Sequence, residues 1–165
     1  MSIVDVLNFS AKEDVKLIDA RGPRFGALLT TVVLTAFLAT GFLPLLYWQL
    51  GVFTLGAFIG ATPYSFIYRK FVKPRLSGDV PTEDVRPPQF AQLVGFLFAL
   101  SATIAYLMNA ETLGFVIAGF ALAAAFLNAA FNFCLGCEVY LLIARSKAAI
   151  TSRKNREDSY NLPSL

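Results

Sequence analysis

The sequence predicts an all-α membrane protein whose four transmembrane helices form two helical hairpins, and three observations support this fold class. The 165-residue chain is 56% hydrophobic and only 15% charged, which is unusual for a soluble domain. Its charges fall in blocks separated by uncharged stretches that exceed the roughly 20 residues of one membrane-spanning helix. The chain has no histidine and two cysteines, which excludes histidine-based catalysis, histidine-ligated metals and a secreted disulfide scaffold.

The first predicted hairpin lies in residues 25–68, which contain no charge. Two spans fit here, near 25–40 and 45–60. Between them, Gly41 is typical of a helix end and Pro44 of the first turn of the following helix.

The second hairpin is predicted from two further uncharged stretches, residues 87–110 and 112–137, with Glu111 in the connection between them. We expect span three near 90–107. Span four is predicted as one continuous helix over 113–144, so that the four-span membrane domain covers 25–144.

Lysine and arginine occur in only three segments, which lie at 1–24, within the loop 61–89 and in the tail 145–165. The positive-inside rule places all three in the cytoplasm, so both termini are expected there, in a bacterial cytoplasmic (inner) membrane. The tail is predicted to be disordered because it is polar. No cleavable signal peptide is expected, because the apolar run 3–9 is short and contains Asp5.

The net charge of +3 is explained by this topology and by attraction to anionic lipid. It does not indicate nucleic-acid binding. The lipid bilayer is therefore the first predicted partner.

Both hairpins begin with the pattern Arg-x-Pro-x-Phe, at residues 21–25 and again at 86–90. One interpretation is a parallel internal repeat, with the halves related by an axis along the membrane normal. The other is that arginine, proline and phenylalanine simply suit a cytoplasmic helix start.

A short amphipathic helix is predicted after span two, with Thr62 as its N-cap, Pro63 in its first turn and Pro74 at its end. It either lies on the inner leaflet or extends span two. A polar linker over 77–88 follows it.

The unusual chemistry of the sequence is concentrated in Cys134, Cys137 and Glu138, which we place on one face of span four. A redox or sulfur-carrying pair, a soft metal site completed by a second protomer, and two buried structural cysteines are all consistent with this spacing. Reactive pairs normally lie at helix N-termini, so a position deep within a span, beside a carboxylate, counts against reactivity. No metal is predicted.

Glu138 is costly inside a span and therefore needs a function or a partner. The candidate ion-pair partners are Arg21, Arg24 and Arg86. A polar pocket near this residue is predicted from three further side chains, Gln92, Asn128 and Asn132.

The motifs RGPRF (21–25), RPPQFAQ (86–92) and FCLGCE (133–138) resemble the bacterial integral-membrane family called domain of unknown function 4395. The resemblance covers about residues 15–146. It implies a multi-pass inner-membrane protein with a thioredoxin-like or sulfurtransferase partner, which favours thiol or sulfur chemistry at the cysteines.

The functional hypothesis is a thiol-redox or sulfur-relay component that uses Cys134 and Cys137, with Glu138 as proton partner or structural anchor. Two alternatives stay open. One is a transporter of a small sulfur-containing or anionic solute, and the other is a non-catalytic subunit of a larger membrane complex or homo-oligomer. Enzymatic activity and cofactors are not assigned.

Overall fold

The fold is taken from a computed structural model that describes residues 17–76 and 81–160, with side chains as far as Arg153. The predictions for 1–16, for 77–80 of the linker and for 161–165 of the tail lie outside these residues.

Within the described residues, six helices and one pair of short strands form two halves with the same order of elements. The first half contains β1 (Leu17–Asp19), α1 (Arg21–Thr40), α2 (Leu43–Thr54, continued by a π-helical turn at Leu55–Ile59) and α3 (Pro63–Ile67, continued by helical turns at Tyr68–Val72 and Lys73–Arg75). The second half contains β2 (Thr82–Asp84), α4 (Arg86–Leu107), α5 (Glu111–Phe131) and α6 (Leu135–Tyr160).

The hairpin turns lie at one end of the helices and are built on residues in the left-handed conformation. Gly41 has φ 65° and its N–H donates to the Phe37 carbonyl. Asn109, between α4 and α5, has φ 60°. Glycine and asparagine tolerate this conformation best, so each allows the chain to reverse within a few residues.

The two hairpins interleave, because α1 packs against α5 and α4 packs against α2 as well as α5. The core combines large side chains with small ones: Leu34, Phe37, Leu46, Ala102, Ala118 and Ala121. Alanine and glycine let helix backbones approach closely, which is the main source of helix association in lipid. The predicted all-α class is confirmed.

Three helices, α1, α4 and α5, are long and apolar enough to cross a membrane, and α2 with α3 makes a fourth if that bent pair is one span. The bend between the segments Leu43–Ile59 and Pro63–Arg75 is 81°. Gly60 interrupts the helix there with φ 73°, and the Thr62 side chain caps the new helix. The segment after Gly60 is therefore not a straight continuation of α2.

The strands β1 and β2 were not predicted from the sequence. They pair antiparallel, with Leu17 opposite Asp84, Ile18 opposite Glu83 and Asp19 opposite Thr82. This short ladder joins the halves at the end of the bundle where α1 and α4 begin.

The prediction of one continuous helix over 113–144 is wrong. Helix α5 ends at Phe131, and Asn132 has φ 57° before α6 begins at Leu135. The N–H of Asn132 donates to the Asn128 carbonyl and that of Phe133 to the Leu127 carbonyl. These bonds close the last turn of α5 in the way that left-handed caps do.

The predicted disorder of the tail is also contradicted in part, since the backbone of α6 stays helical to Tyr160. Residues 145–160 include two alanines, two lysines and three arginines. These residues have favourable intrinsic helix propensities and can extend a helix that has already started.

Candidate functional site

The two cysteines lie at the start of α6 and are joined by a disulfide, with their Cα atoms 5.1 Å apart. Cys134 directly precedes the helix, and the Cys137 N–H donates to its Sγ over 3.3 Å. The Glu138 N–H donates to the Cys134 carbonyl over 3.0 Å. Cys134 thus occupies the N-cap position and Cys137 lies in the first turn.

This position corrects the expectation that the pair lies deep within a span. The first N–H groups of a helix and its dipole stabilise negative charge on a residue at the N-cap. The argument against a reactive thiol from its position within a span therefore does not hold for Cys134.

Three contacts hold the end of α5 and the first two turns of α6 against the bundle. The Arg24 Nε donates to the Ala129 carbonyl, in the last turn of α5, over 3.2 Å. A Cβ on Gly136 would lie 2.7 Å from both Cα and Cβ of Ala91, so the glycine of the Cys-Leu-Gly-Cys sequence permits close contact with α4. The rings of Phe90 and Tyr140 meet at 5.7 Å between centroids.

The expected ion pair of Glu138 is not formed. Its side chain is exposed, and within the described residues the carboxylate has no salt bridge. Arg86 instead pairs with Asp84, through Nε at 2.8 Å and Nη2 at 2.6 Å. The backbone N–H of Arg21 donates to Asp19 at 3.0 Å.

The predicted polar pocket is placed differently. Gln92 lines a cavity of about 460 Å³ between the starts of α1 and α4, the end of α2 and helix α3. Asn128 and Asn132 are at the end of α5 and do not line it. The structure therefore brings Gln92 together with first-half residues rather than with the cysteines.

Sequence reasoning missed that the contacts of the thiol site have counterparts in the first half. Thr62 and Ser65 begin α3 with a reciprocal capping box, in which each backbone N–H donates to the other side chain at 3.0–3.1 Å. They follow Gly60 at the same spacing at which Cys134 and Cys137 follow Asn132. The two Arg-x-Pro-x-Phe patterns are separated by fewer residues than the two helix caps, because the second half is longer between pattern and cap. A search at one constant spacing could therefore not find this match.

Two further pairs of contacts follow the same relation. Gln89 Nε2 donates to the Ala57 carbonyl over 2.8 Å, as Arg24 does to Ala129. Phe25 and Tyr68 meet at 5.8 Å between ring centroids, as Phe90 and Tyr140 do.

The halves also share the start of their first helices, because each is preceded by an aspartate. Asp19 accepts from the Arg21 N–H, and Asp84 accepts from the Arg86 N–H at 2.9 Å. The Tyr68 hydroxyl adds a bond of 2.9 Å to Asp19. An aspartate two residues before each arginine is a sequence signal that could have been found.

A second group of polar side chains lies in the core of the first half. Gln49 donates to Thr30 and accepts from Tyr64, and Trp48 donates to Tyr64, each over 3.1 Å. Thr30, Gln49 and Tyr64 are buried and bond one another, so this cluster serves the packing of α1, α2 and α3.

These features define a class: a helical protein with spans apolar enough for a membrane and a Cys-x-x-Cys disulfide at the start of its last helix. The chain belongs to the family described as Domain of unknown function (DUF4395), whose family model matches residues 18–145. The family predicted from the motifs is thereby confirmed. No curated protein and no solved structure matches the chain.

Proposed function

We propose that this protein is a membrane thiol-redox component, or a relay of sulfur, whose reactive group is the pair Cys134 and Cys137. The observation that carries the proposal is the disulfide at the N-terminus of α6, with Cys134 at the N-cap. A thiolate at this position accepts hydrogen bonds from helix N–H groups, which stabilise its negative charge and favour the nucleophilic form.

The proposed reaction is thiol–disulfide exchange with a thioredoxin-like protein. In the reduced chain, the Cys134 thiolate attacks the partner's disulfide, which forms a mixed disulfide and releases one partner thiol. The Cys137 thiolate then attacks Cys134, which forms the intramolecular disulfide and releases the second thiol. Two electrons and two protons pass from the cysteine pair to the partner, and the reverse sequence reduces the pair.

Glu138 and Arg24 have separate roles in this proposal. The exposed Glu138 carboxylate follows Cys137 directly and can take up a thiol proton. Arg24 is a positioning residue, because its bond to the Ala129 carbonyl holds the end of α5 from which the cysteine segment continues.

We further propose that the pair lies at the cytoplasmic membrane surface. Helix α5 has 21 residues, about 32 Å at 1.5 Å per residue, and so spans a bilayer core before the cysteines begin. The arginines at the starts of α1 and α4 lie at the same end of the bundle as the pair. By the positive-inside rule this end faces the cytoplasm, where a soluble partner could reach it.

The paired contacts of the two halves support the parallel-repeat interpretation, which we adopt. The repeated contacts are not confined to one short motif. They occur at the helix starts, at Phe25 and Phe90, and at the two helix breaks. In this interpretation the thiol pair takes the place that a structural capping box has in the first half.

The proposal is tested by trapping the mixed disulfide. Purified full-length chain with Cys137→Ser should form a stable covalent complex with a thioredoxin-like protein whose resolving cysteine is replaced by serine and whose remaining cysteine is activated as a mixed disulfide with thionitrobenzoate. Cys134 then releases thionitrobenzoate, and neither protein keeps a second thiol that could resolve the complex. The Cys134→Ser chain is the matched control, and we expect at least about 10-fold less complex because its remaining thiol lacks the N-cap position.

Equal trapping by both variants would contradict the role of Cys134, and trapping by neither would refute the redox proposal. Sulfur relay is distinguished by mass spectrometry after incubation with a persulfide donor. That reaction adds one sulfur atom to Cys134 instead of linking it to a partner.

A further inference from the structure

The cavity between the starts of α1 and α4, the end of α2 and helix α3 has an enclosed wall and an open end with different chemistry. Gln89 is 4% exposed, and the Oε1 atoms of Gln89 and Gln92 are buried without a hydrogen-bond partner in the described part of the chain. At the open end, Arg69 is exposed and the Lys73 side chain is 52% exposed. All four residues line the same cavity.

Two unpartnered amide oxygens are unusual in a wall that is otherwise well bonded. Gln89 is held in place by its Nε2 bond to Ala57, so its Oε1 cannot simply turn away. Buried acceptors without donors are destabilising, and native proteins generally supply a partner. A ligand that satisfies them must present hydrogen-bond donors to α4, and the two amides must rotate slightly toward the cavity to receive it, because both oxygens are enclosed.

The open end of the cavity, at Arg69 and Lys73, needs a ligand group that is an acceptor and not a donor. Asp19 lines the cavity and lies 4.0 Å from Lys73, but its carboxylate already accepts from the Tyr68 hydroxyl and the Arg21 N–H. Arg69 adds a second positive charge, which leaves this end with a net positive charge. An anionic group is therefore favoured there.

We propose that this cavity binds a small zwitterion, with a primary ammonium group at Gln89 and Gln92 and a carboxylate or phosphate at Arg69 and Lys73. A volume of about 460 Å³ is within the range of small-molecule sites. Free amino acids and the headgroup of phosphatidylethanolamine share this chemistry. The site is separate from the thiol pair, because neither cysteine lines the cavity. Ala91, the residue of α4 that contacts Gly136, does not line it either.

The structure offers a steric test with a matched control. Gly26 lines the cavity, and a Cβ there would meet no atom within 4 Å. A leucine at this position can therefore place its Cβ freely and extend the rest of its side chain into the cavity. Gly51→Leu is the control, because Gly51 also faces open space but lies outside the cavity.

Binding is measured on the full-length chain in detergent. One arm uses calorimetry with a mixture of the twenty amino acids, and with glycine betaine as the ligand that lacks N–H donors. The other arm uses native mass spectrometry with phosphatidylethanolamine, and with phosphatidylcholine as the corresponding control. We expect binding in one arm that identifies the source, and none with either methylated control.

Gln92→Leu should weaken that binding about 10-fold, the typical effect of losing one buried hydrogen-bond acceptor. Gly26→Leu should abolish it, and Gly51→Leu should leave it unchanged. Binding in neither arm, equal binding of the methylated ligands, or full binding by Gly26→Leu would each overturn the proposal.

Discussion

Helices α3 and α6 begin in the same way but with different side chains. Each follows a residue in the left-handed conformation, Gly60 or Asn132. At the same two positions of each first turn, α3 has Thr62 and Ser65, and α6 has Cys134 and Cys137. Hydroxyl groups can only exchange hydrogen bonds there, whereas thiols can also form and break a covalent bond.

This difference suggests how a capping device could become a reactive site. The backbone N–H groups of a helix start, which donate to a hydroxyl oxygen in α3, can equally donate to a thiolate. The two helix starts therefore differ in the chemistry of their side chains and not in their backbone.

The most direct way to break the comparison is to convert the second site into the first. The double variant Cys134→Thr with Cys137→Ser should keep the helical fold, because a hydroxyl capping box replaces the thiols. Thiol–disulfide exchange should fall by more than about 100-fold, to the background without the pair. Circular dichroism monitors the fold, and the rate at which the pre-reduced full-length chain reduces an oxidised thioredoxin-like protein monitors the activity.

The matched control for this conversion is Thr62→Ser, which changes the other capping box without changing its chemistry. Activity in that variant should be unchanged. Retained exchange activity in the double variant would mean that the reactive group lies elsewhere.

The second test concerns the packing of the first turn of α6. Gly136→Ala places a methyl group 2.7 Å from the Cα of Ala91, and backbone cannot move away cheaply. We expect a loss of about 1–3 kcal/mol in the free energy of unfolding, the usual cost of overpacking. Denaturant titration in mild detergent measures it.

Gly119→Ala is the control, because a Cβ there meets nothing within 4 Å. That variant should be neutral or slightly stabilising, since alanine is the better helix former. Equal stability of the two variants would show that α6 does not pack closely on α4.

The third test weakens the first-half capping box. Thr62→Ala removes the acceptor for the Ser65 N–H and should cost about 1 kcal/mol in the free energy of unfolding. Hydrogen exchange should rise locally at the start of α3. Thiol reactivity at Cys134 should not change, and a change in it would show that the two helix starts are coupled.

The smallest effect is expected for Glu83, which lies opposite Ile18 in the strand ladder that joins the halves. Burial raises the pKa of Glu83, and the nearby charge of Asp19 raises it further. In the window between its ordinary and its raised pKa, the folded chain binds more protons than the unfolded chain. Stability from this group is therefore present at low pH and is lost as the pH rises through that window.

Glu83→Gln should remove this dependence. We expect the variant to melt slightly higher than the parent chain at pH about 7.5, with the difference disappearing at pH about 3.5. Glu111→Gln, at the other end of the bundle, controls for the change in net charge. A difference that grows toward low pH would contradict the sign of the pKa shift.

Much of the helical framework could be predicted because long uncharged stretches have one main explanation. The starts of α1 and α4 and the cap at Thr62 follow from arginine, proline and threonine signals with local physical causes. The family followed from three motifs and is confirmed by the match over residues 18–145.

The site was predicted less well, because its geometry depends on one backbone angle. The apolar run through residues 112–137 is continuous in hydropathy, so the left-handed Asn132 could not be distinguished from a helical asparagine. The three-residue strands are too short for a periodic pattern. The unpartnered oxygens of Gln89 and Gln92 depend on tertiary packing, which no local rule predicts.

The most direct test of the central claim is a redox titration of Cys134 and Cys137 in membrane vesicles. Vesicles are equilibrated across a series of dithiothreitol ratios, quenched with acid, alkylated and read by mass spectrometry. We predict one two-electron transition, from doubly alkylated chain under reducing conditions to unalkylated, disulfide-bonded chain under oxidising conditions. Alkylation of the two cysteines that does not change across the series of potentials would contradict the account.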